Sequence, residues 1–520
     1  MNLQTKVLIC GAGPTGLLMG CQLQRFGIEC MIVDQKEGIV AESRALAVQA
    51  RTLQIYNQMG ILEEALSQGI RAEKIKIIVN TRRLYEVPLK NLGQGLSDYA
   101  FLFVLEQNKN EKILYELFKK NGGEVLWHHS LQSFIQEDKG VKATIINANG
   151  EELVVAADWM VGADGSKSTV RHELQVPFTG ATYENIFYVA DTAAKWPWGH
   201  DCLSLCLSDK TFTALFPLKG EDRFRLIGIF PSAFQHEQVT DFSVIKNTVE
   251  EQLEMNVDFM DTNWFSIYRV HHRCVSHFSE GRVFLAGDAA HIHSPVGGQG
   301  MNTGLQDAYN LAWKMALVIK NIASPVLLDS YNGERLRVAQ KLVQTTDRAF
   351  SIVTSQKWFQ KFFRLQIFPR VITTLFRIKK AGRFFFKGVS QIGINYSRSS
   401  LSVSQDEKLL QAGSLVPYVK INGAKIDDLL KFTGFTFFLF NVKITEDTRR
   451  LIQHQLIDVT FQFIDVPVNE VNADAYSKFK VKTSALFLVR PDNYLGYCDK
   501  TLSVDRLKDY LLNNLHLRSK

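Results

Sequence analysis

The feature that most constrains the fold lies at the amino terminus. Lys6–Cys10 is a short apolar run, Gly11-Ala-Gly13-Pro14-Thr15-Gly16 follows without a break, Leu17–Phe26 is helical in pattern, and Glu29–Val33 is a second apolar run ending at Asp34. This is a GxGxxG turn in a βαβ setting, with an acid 23 residues after the first glycine. Gly11 makes the tight turn and Gly13 lets a pyrophosphate approach the backbone. Gly16 lets the helix pack on the strand, and Asp34 accepts hydrogen bonds from a ribose. The setting predicts a parallel sheet that binds a dinucleotide, without separating NAD from FAD.

A second stretch repeats the strand, loop and helix far downstream. Val283–Ala286 is apolar and Gly287-Asp288 places a carboxylate at its end. His291-Ile-His293-Ser-Pro295-Val-Gly297-Gly298-Gln-Gly300-Met301-Asn302 then feeds an amphipathic pattern with Leu311, Met315 and Val318 on one face. A carboxylate holds sugar or polyol hydroxyls. Glycines admit a flat ligand, and a helix start offers bare N–H groups and a positive dipole end to an anion. A third stretch lies between them: Trp159-Met-Val-Gly162-Ala-Asp164-Gly165-Ser-Lys-Ser168-Thr-Val-Arg171, a strand running into an Asp-Gly loop and a helix start. Locally, Asp164-Gly165 reads equally as a turn with a helix cap. Arg44 reads equally as a solvated cation or a phosphate ligand, and Gln107 as a helix cap or a ligand contact.

The order and spacing of Gly11–Gly16, Gly162–Arg171 and Gly281–Asp288 resemble those of the single-component FAD-dependent aromatic hydroxylases. His291–Asn302 resembles the branch containing phenol hydroxylases and polyketide hydroxylases. The resemblance implies tight, non-covalent FAD. Gly11, Gly13, Pro14, Thr15 and Gly16 would cradle its pyrophosphate, and Asp34 its ribose. Gly287-Asp288 would hold the ribitol chain, while Gly298, Gly300, Met301 and Asn302 bring helix-start N–H groups to the flavin pyrimidine edge. Arg44 and Gln107 would contact FAD, and the Asp164 motif is tied to both FAD and NAD(P)H. Pro295 would lie over the reacting face, with Arg44 a second candidate there. The implied reaction takes hydride from transiently bound NADPH or NADH, since no second GxGxxG serves that cofactor. O2 then adds to reduced flavin, and the flavin C4a-hydroperoxide hydroxylates an aromatic, phenolic or polyketide-like substrate. His291 and His293 are not assigned as catalytic bases.

The implied fold class is α/β: a Rossmann-type, glutathione-reductase-like FAD domain with an inserted antiparallel substrate sheet and a carboxyl-terminal thioredoxin-like domain. The boundaries read as 1–73, 98–178 and 275–353 for the FAD domain and 74–97 with 179–274 for the substrate sheet. A helical linker spans 354–401, and a thioredoxin-like module without CxxC spans 402–520. In the family the inserted sheet floors the substrate pocket; Phe216, Pro217 and Tyr268 are lining candidates, each equally readable as core. Strands at Glu124–His128, Leu131–Glu137, Val141–Asn147 and Glu152–Ala157 read as one meander. Tyr331–Val353 reads as a helix exposing Arg335, Arg337 and Lys341.

Other signals exclude more than they assign. Trp196-Pro-Trp198 is followed by Gly199-His200, so it departs from the Trp-x-Trp-x-Ile-Pro pattern of flavin halogenases and reads as an aromatic loop. His200, Cys202 and Cys206 lack a fourth ligand at metal spacing, so no metal is expected. Seven scattered cysteines predict reduced thiols, and no leader or spanning segment is visible, which points to a cytoplasmic protein. The net charge of +7 is local: nine basic residues and no acid lie between Ser355 and Ser390, so nucleic-acid binding is not implied. Those cations (Lys357, Lys361, Arg364, Arg370, Arg377, Lys379, Lys380, Arg383, Lys387) alternate with aromatics. The segment reads either as a linker packed on the FAD domain or as a peripheral membrane contact. A homodimer, a FAD-dependent reductase of a lipid or isoprenoid, and a non-catalytic flavin module stay open as alternatives.

Overall fold

Asn2–Cys10 is the central strand of the first of two eight-stranded sheets. It pairs in parallel with Cys30–Asp34 on one side and with Glu152–Gly162 on the other. Val125–Trp127 and Val283–Leu285 extend the parallel set outward. Val7, Leu8 and Ile9 are all fully buried, so both faces of the sheet are covered and the strand is apolar throughout rather than alternating. The helices Pro14–Arg25 and Gly300–Ile319 pack on each other against this sheet. The structure, a computed structural model, describes all residues except 1, 41–44, 90–91, 209–211, 232–233, 235–238, 256, 296, 355–357, 431–432, 455–458, 460 and 520.

The expected meander is corrected in two places. Val125–Trp127 does not join it; this short run follows the helix Gln107–Lys120 and returns parallel beside Cys30–Asp34, as a strand after a crossover helix does. Glu152–Gly162 is one continuous strand whose outer edge changes partner. Its first half carries the antiparallel strand Gly140–Ile146, itself paired with Ser130–Glu137, and its last three residues carry Val283–Leu285.

The second sheet runs, in order, His291–Ile292, Asp258–Val275, Phe178–Lys195, Arg223–Ile229, Phe212–Pro217, Cys202–Leu207, Lys74–Val79 and Arg83–Pro88. All pairs are antiparallel except Cys202–Leu207 with Lys74–Val79, so the hairpin inserted early in the chain joins through a parallel seam. Alternation along Phe178–Lys195 gives the sheet two faces. Tyr188 packs with Phe242, Ile245 and Val249 on one side, against the helix Ser243–Leu253. Phe187 faces the main core with Phe212 and Tyr268. Trp196 and Trp198 pack edge to face at 5.0 Å, and the Trp196 indole donates to Ser204 Oγ, which fits the aromatic-loop reading.

A third, five-stranded mixed sheet closes the chain: Val403–Ser404, Leu495–Asp499, Ala485–Val489, Phe435–Phe440 and Phe461–Val466. The strand expected at Ile457–Asp465 begins at Phe461; its first part falls largely outside the described residues. One polar cluster joins this sheet to the rest. Arg490 pairs with Glu334 at 2.6 Å and with Asp492 at 2.5 Å, and Glu334 also holds Lys314 at 2.8 Å, all essentially inaccessible to solvent. The helix Asp329–Thr354 supplies Glu334 and its neighbour Arg335. Arg335 is fully buried, against the expectation that it faces solvent with Arg337 and Lys341, which are exposed. A buried carboxylate, Asp307, draws it inward at 2.6 Å. Among the described residues no helix is long and apolar enough to cross a membrane.

Candidate functional site

The three glycine-rich motifs converge at the carboxyl ends of the parallel strands, the edge where open α/β sheets bind ligands. Gly11 (φ +107°) lies so close to the Asp164 loop that a Cβ on it would sit 2.3 Å from the Ala163 carbonyl oxygen. Thr15 fills the space beside Gly287 and Gly304, where added Cβ atoms would come within 2.6 and 2.4 Å of its hydroxyl. Arg171 bridges the second and third motifs, donating to the Ala289 and Ser166 carbonyls at 3.0 Å while stacking on Phe178. Motifs far apart in sequence therefore form one contiguous floor.

Two helices begin at this floor, and neither has a side-chain cap. Pro14–Arg25 starts after Gly13 in extended conformation, and Gly300–Ile319 starts after Gln299. Pro14 needs no N–H at the first helical position. The side chain of Gln299 turns away to the Gly388 and Val389 carbonyls. Helix starts without caps leave N–H groups for a ligand and aim a positive dipole end at it. A Cβ on Gly13 would meet nothing within 4 Å, so the open side of the turn faces free space. Asp288, in the turn Gly287–Ala289, is exposed at the same edge. Asp164 Oδ2 accepts from the Val170 N–H at 3.1 Å, while its buried Oδ1 has no protein partner. Burial pushes its carboxyl pKa up, against the hydrogen bonds from Ser168 and Val170. An orphaned acceptor, two bare helix starts and an open glycine turn fit FAD.

The remaining expected residues divide. Asp34 clamps the turn, accepting from Ala12 N–H at 2.6 Å and Lys36 N–H at 2.9 Å. Gln107 is the first residue of its helix rather than its cap. Its Nε2 donates to the buried Glu111 carboxylate at 2.8 Å and its Oε1 accepts from Ala45 N–H. Burial raises the Glu111 pKa. Met301 accepts from Asn110 Nδ2 through sulfur. The Asn302 side chain is saturated by protein. Its Oδ1 accepts from Gln49 N–H and Thr52 Oγ, and its Nδ2 donates to the Ala47 and Gly298 carbonyls, each at 2.8 Å. Only its backbone is left for a ligand. Pro295 is exposed, its carbonyl accepting from Gly298 N–H at 3.0 Å. Arg44 lies outside the described residues.

Phe216 and Tyr268 share one face of the second sheet but sit in separate clusters. Tyr268 packs on Phe187. Phe216, four residues past Phe212 on its strand and so on the same face, packs on Leu46, Val104 and Leu218, while Pro217 is buried on the opposite face, paired with Phe224.

Sequence reasoning missed the supports. Asp307 Oδ2 accepts from Gly287 N–H at 3.0 Å and holds His291 Nε2 at 2.7 Å, while Oδ1 takes Arg335. Burial alone would raise the Asp307 pKa; Arg335 and His291 more than offset it and hold the carboxyl below its usual range. His291 is therefore a buttress of the Gly287-Asp288 turn. The available signal was that Asp307 is the only acid in the helix Gly300–Ile319.

This arrangement defines a flavin-binding protein, and the chain belongs to the FAD-binding-domain family, whose model matches residues 4–346. A flavin-dependent monooxygenase of Mycobacteroides abscessus is 30% identical over 508 residues, covering 94% of this chain and 96% of the relative. Pentachlorophenol 4-monooxygenase of Sphingobium chlorophenolicum is 27% identical over 524 residues, covering 94% and 93%. Among solved structures, the flavin-dependent monooxygenase PieE in complex with FAD and substrate superposes with a TM-score of 0.81 at 20% identity over 99% of both chains. Aklavinone-11 hydroxylase with FAD and aklavinone gives 0.79 at 20% identity, covering 98% and 99%.

Proposed function

We propose that this protein is an FAD-dependent monooxygenase that uses NADPH or NADH and O2 to hydroxylate a phenolic or polycyclic aromatic compound. One observation carries the reading: the uncapped starts of Pro14–Arg25 and Gly300–Ile319, Asp164 and the exposed Asp288 meet at one sheet edge, and the second sheet turns an aromatic face toward the same core. The relatives named as monooxygenases of pentachlorophenol and of anhydrotetracycline support the substrate class.

FAD supplies hydride acceptance and oxygen activation when bound. The chain's own residues do the rest. Asp288 hydrogen-bonds the ribitol hydroxyls, and Asp34 the ribose. N–H groups at Gly300–Asn302 stabilise negative charge at the pyrimidine edge through the helix dipole. Pro295 would roof the reacting face. Phe216 and Tyr268 would line the apolar floor, keeping water from the oxygen-transfer step, while Pro217 turns to the other face of the sheet with Phe224. His291 is committed to Asp307 and does not serve as the base.

The domain layout belongs to the same proposal: an FAD domain from 1–73, 98–178 and 275–353, a substrate sheet from 74–97 and 179–274, and a thioredoxin-like module from 402 onward. The strand order Phe461–Val466, Phe435–Phe440, Ala485–Val489, Leu495–Asp499, with the first pair parallel and the next two antiparallel, supports that last assignment. The module's Cys498 is buried with a raised pKa, so its role is packing rather than redox exchange.

Oxygen uptake by the FAD-loaded protein with NADPH, across a panel of phenols and polycyclic aromatics with peroxide measured in parallel, tests the reading. Substrate-stimulated uptake with hydroxylated product is expected. Substrate turnover under strict anaerobiosis would overturn it.

A further inference from the structure

The chain carries no acidic residue from Arg348 through Gln405, a stretch with eleven lysines and arginines. Its described helices include Trp358–Phe362, Phe368–Arg377 and Lys379–Val389. Their apolar residues do not all turn inward. Trp358 is 77% exposed and Phe384 82%, and Phe359, Phe362 and Phe385 are exposed with them. Val371, Leu375 and Ile378, spaced i, i+4, i+7, form a further exposed apolar stripe. Exposed cations flank these positions: Arg370 and Arg377 along the stripe, and Lys379, Lys380, Arg383 and Lys387 around Phe384-Phe385.

This strap is anchored underneath at both ends. Near its start, Arg364 donates to the Ser208 carbonyl and Arg83 to Gln366 Oε1, fixing it to the second sheet. At its end the Gly388 and Val389 carbonyls accept from Gln299, and Gln391 bonds Thr303 and Gln306 on the helix that starts at Gly300. Phe386 plugs the space above Gly93. Held in this way, the aromatics cannot fold inward to cover themselves. Exposed aromatics ringed by lysine and arginine, in a stretch of chain without an acid, match the interfacial zone of an anionic bilayer, where rings enter the headgroup boundary and cations meet phosphates. A protein partner of ordinary mixed charge would leave this long run of like charge uncompensated.

We propose that the strap seats the protein on an anionic lipid surface, with the aromatic side chains inserted and the basic side chains on the headgroups. Because the strap is hydrogen-bonded to Gln299 in the loop before Gly300, docking brings the candidate flavin site to the bilayer and suits a substrate dissolved in it.

Vesicle co-sedimentation of the FAD-loaded full chain tests this without reading turnover, so the result is independent of the oxygenase assignment. Phosphatidylcholine vesicles are compared with and without phosphatidylglycerol, at low and high salt. Binding is expected to need phosphatidylglycerol and to weaken with salt. The triple variant Lys379→Gln, Lys380→Gln, Arg383→Gln should lose about a hundredfold in partitioning, at about fivefold per cation. The variant Trp358→Ser, Phe384→Ser, Phe385→Ser should lose at least about tenfold at either salt. Flavin content and circular dichroism should stay at wild-type level in both, which shows intact folding. Absence of binding to either vesicle, or binding unchanged in both variants, would overturn the proposal. So would self-association of the wild type that the aromatic variant abolishes, because the surface would then join copies of this chain.

Discussion

Replacing Asp307 by asparagine should separate the support of the flavin loop from its ligand contacts. The amide has nearly the same shape but no charge. Whichever way it is turned, its NH2 faces a donor: Arg335 Nε, now 2.6 Å from Oδ1, or Gly287 N–H and His291, at 3.0 and 2.7 Å from Oδ2. With its NH2 toward Arg335 the amide would leave the guanidinium only the Tyr396 hydroxyl and the Thr303 carbonyl; with its NH2 toward Gly287 it would lose the bond to that N–H. Removing one side of a buried ion pair costs about 3–5 kcal/mol. Loss of the hydrogen bond to Gly287, held at φ +62°, should weaken presentation of Asp288 by about 1–3 kcal/mol, or about 5- to 150-fold in FAD affinity. Denaturant unfolding of the flavin-free protein reads the first effect, and FAD titration the second. The folded pKa of Asp307 is depressed, so its contribution is complete above the unfolded carboxylate value of about 3.9 and is lost as pH falls through the folded value. The variant should lack that acid-side loss. A stability change under about 1 kcal/mol with unchanged FAD affinity would refute the reasoning.

Further predictions concern other parts of the molecule. Gly13→Ala should fold normally yet bind FAD more weakly, because its Cβ enters space that is open in the protein alone; Gly16→Ala should disturb folding itself, its Cβ lying 1.9 Å from the Gly11 carbonyl oxygen. Circular dichroism and flavin titration distinguish the two. Glu334→Gln should destabilise by about 3–5 kcal/mol, since it leaves Lys314 and Arg490 buried with less counter-charge. Lys314→Met should cost far less, since burial already drives its pKa down to about 8 and Arg490 still neutralises Glu334. Denaturation midpoints of both variants check the contrast. The His293 pKa is lowered to about 4 by burial, so the unfolded chain binds more protons between about 6.5 and 4 and stability falls as pH drops through that window. His293→Asn should flatten this loss, which is on the order of 3 kcal/mol, in unfolding curves taken across that range.

The sequence made the first parallel strands and the glycine motifs legible because those turns depend on local geometry that few residues satisfy. Gly11, Gly16 and Gly304 stand where backbones or a threonine approach too closely for a Cβ. The sequence was less informative wherever tertiary partners decide. Arg335 has the pattern of an exposed helical cation and is buried only because Asp307 waits for it. Val125–Trp127 looks like the neighbour of Leu131–Glu137 but pairs with Cys30–Asp34, a choice made by strand direction rather than by local pattern. Asn302 carries the expected position in the loop, yet its side chain serves Gln49, Thr52 and Ala47. Phe216 and Tyr268 could be placed on one sheet but not in one cluster, because alternation sets the face and not the distance across strands.

The account rests on oxygen transfer at the edge where Gly13, Asp164, Asp288 and Gly300 meet. Its most direct test is turnover of an accepted aromatic substrate under isotopically labelled dioxygen, with mass spectrometry of the product. The account predicts one labelled oxygen atom in each product molecule, with NADPH oxidised in equal amount. A product carrying oxygen from water, or formed at the same rate without dioxygen, would contradict it.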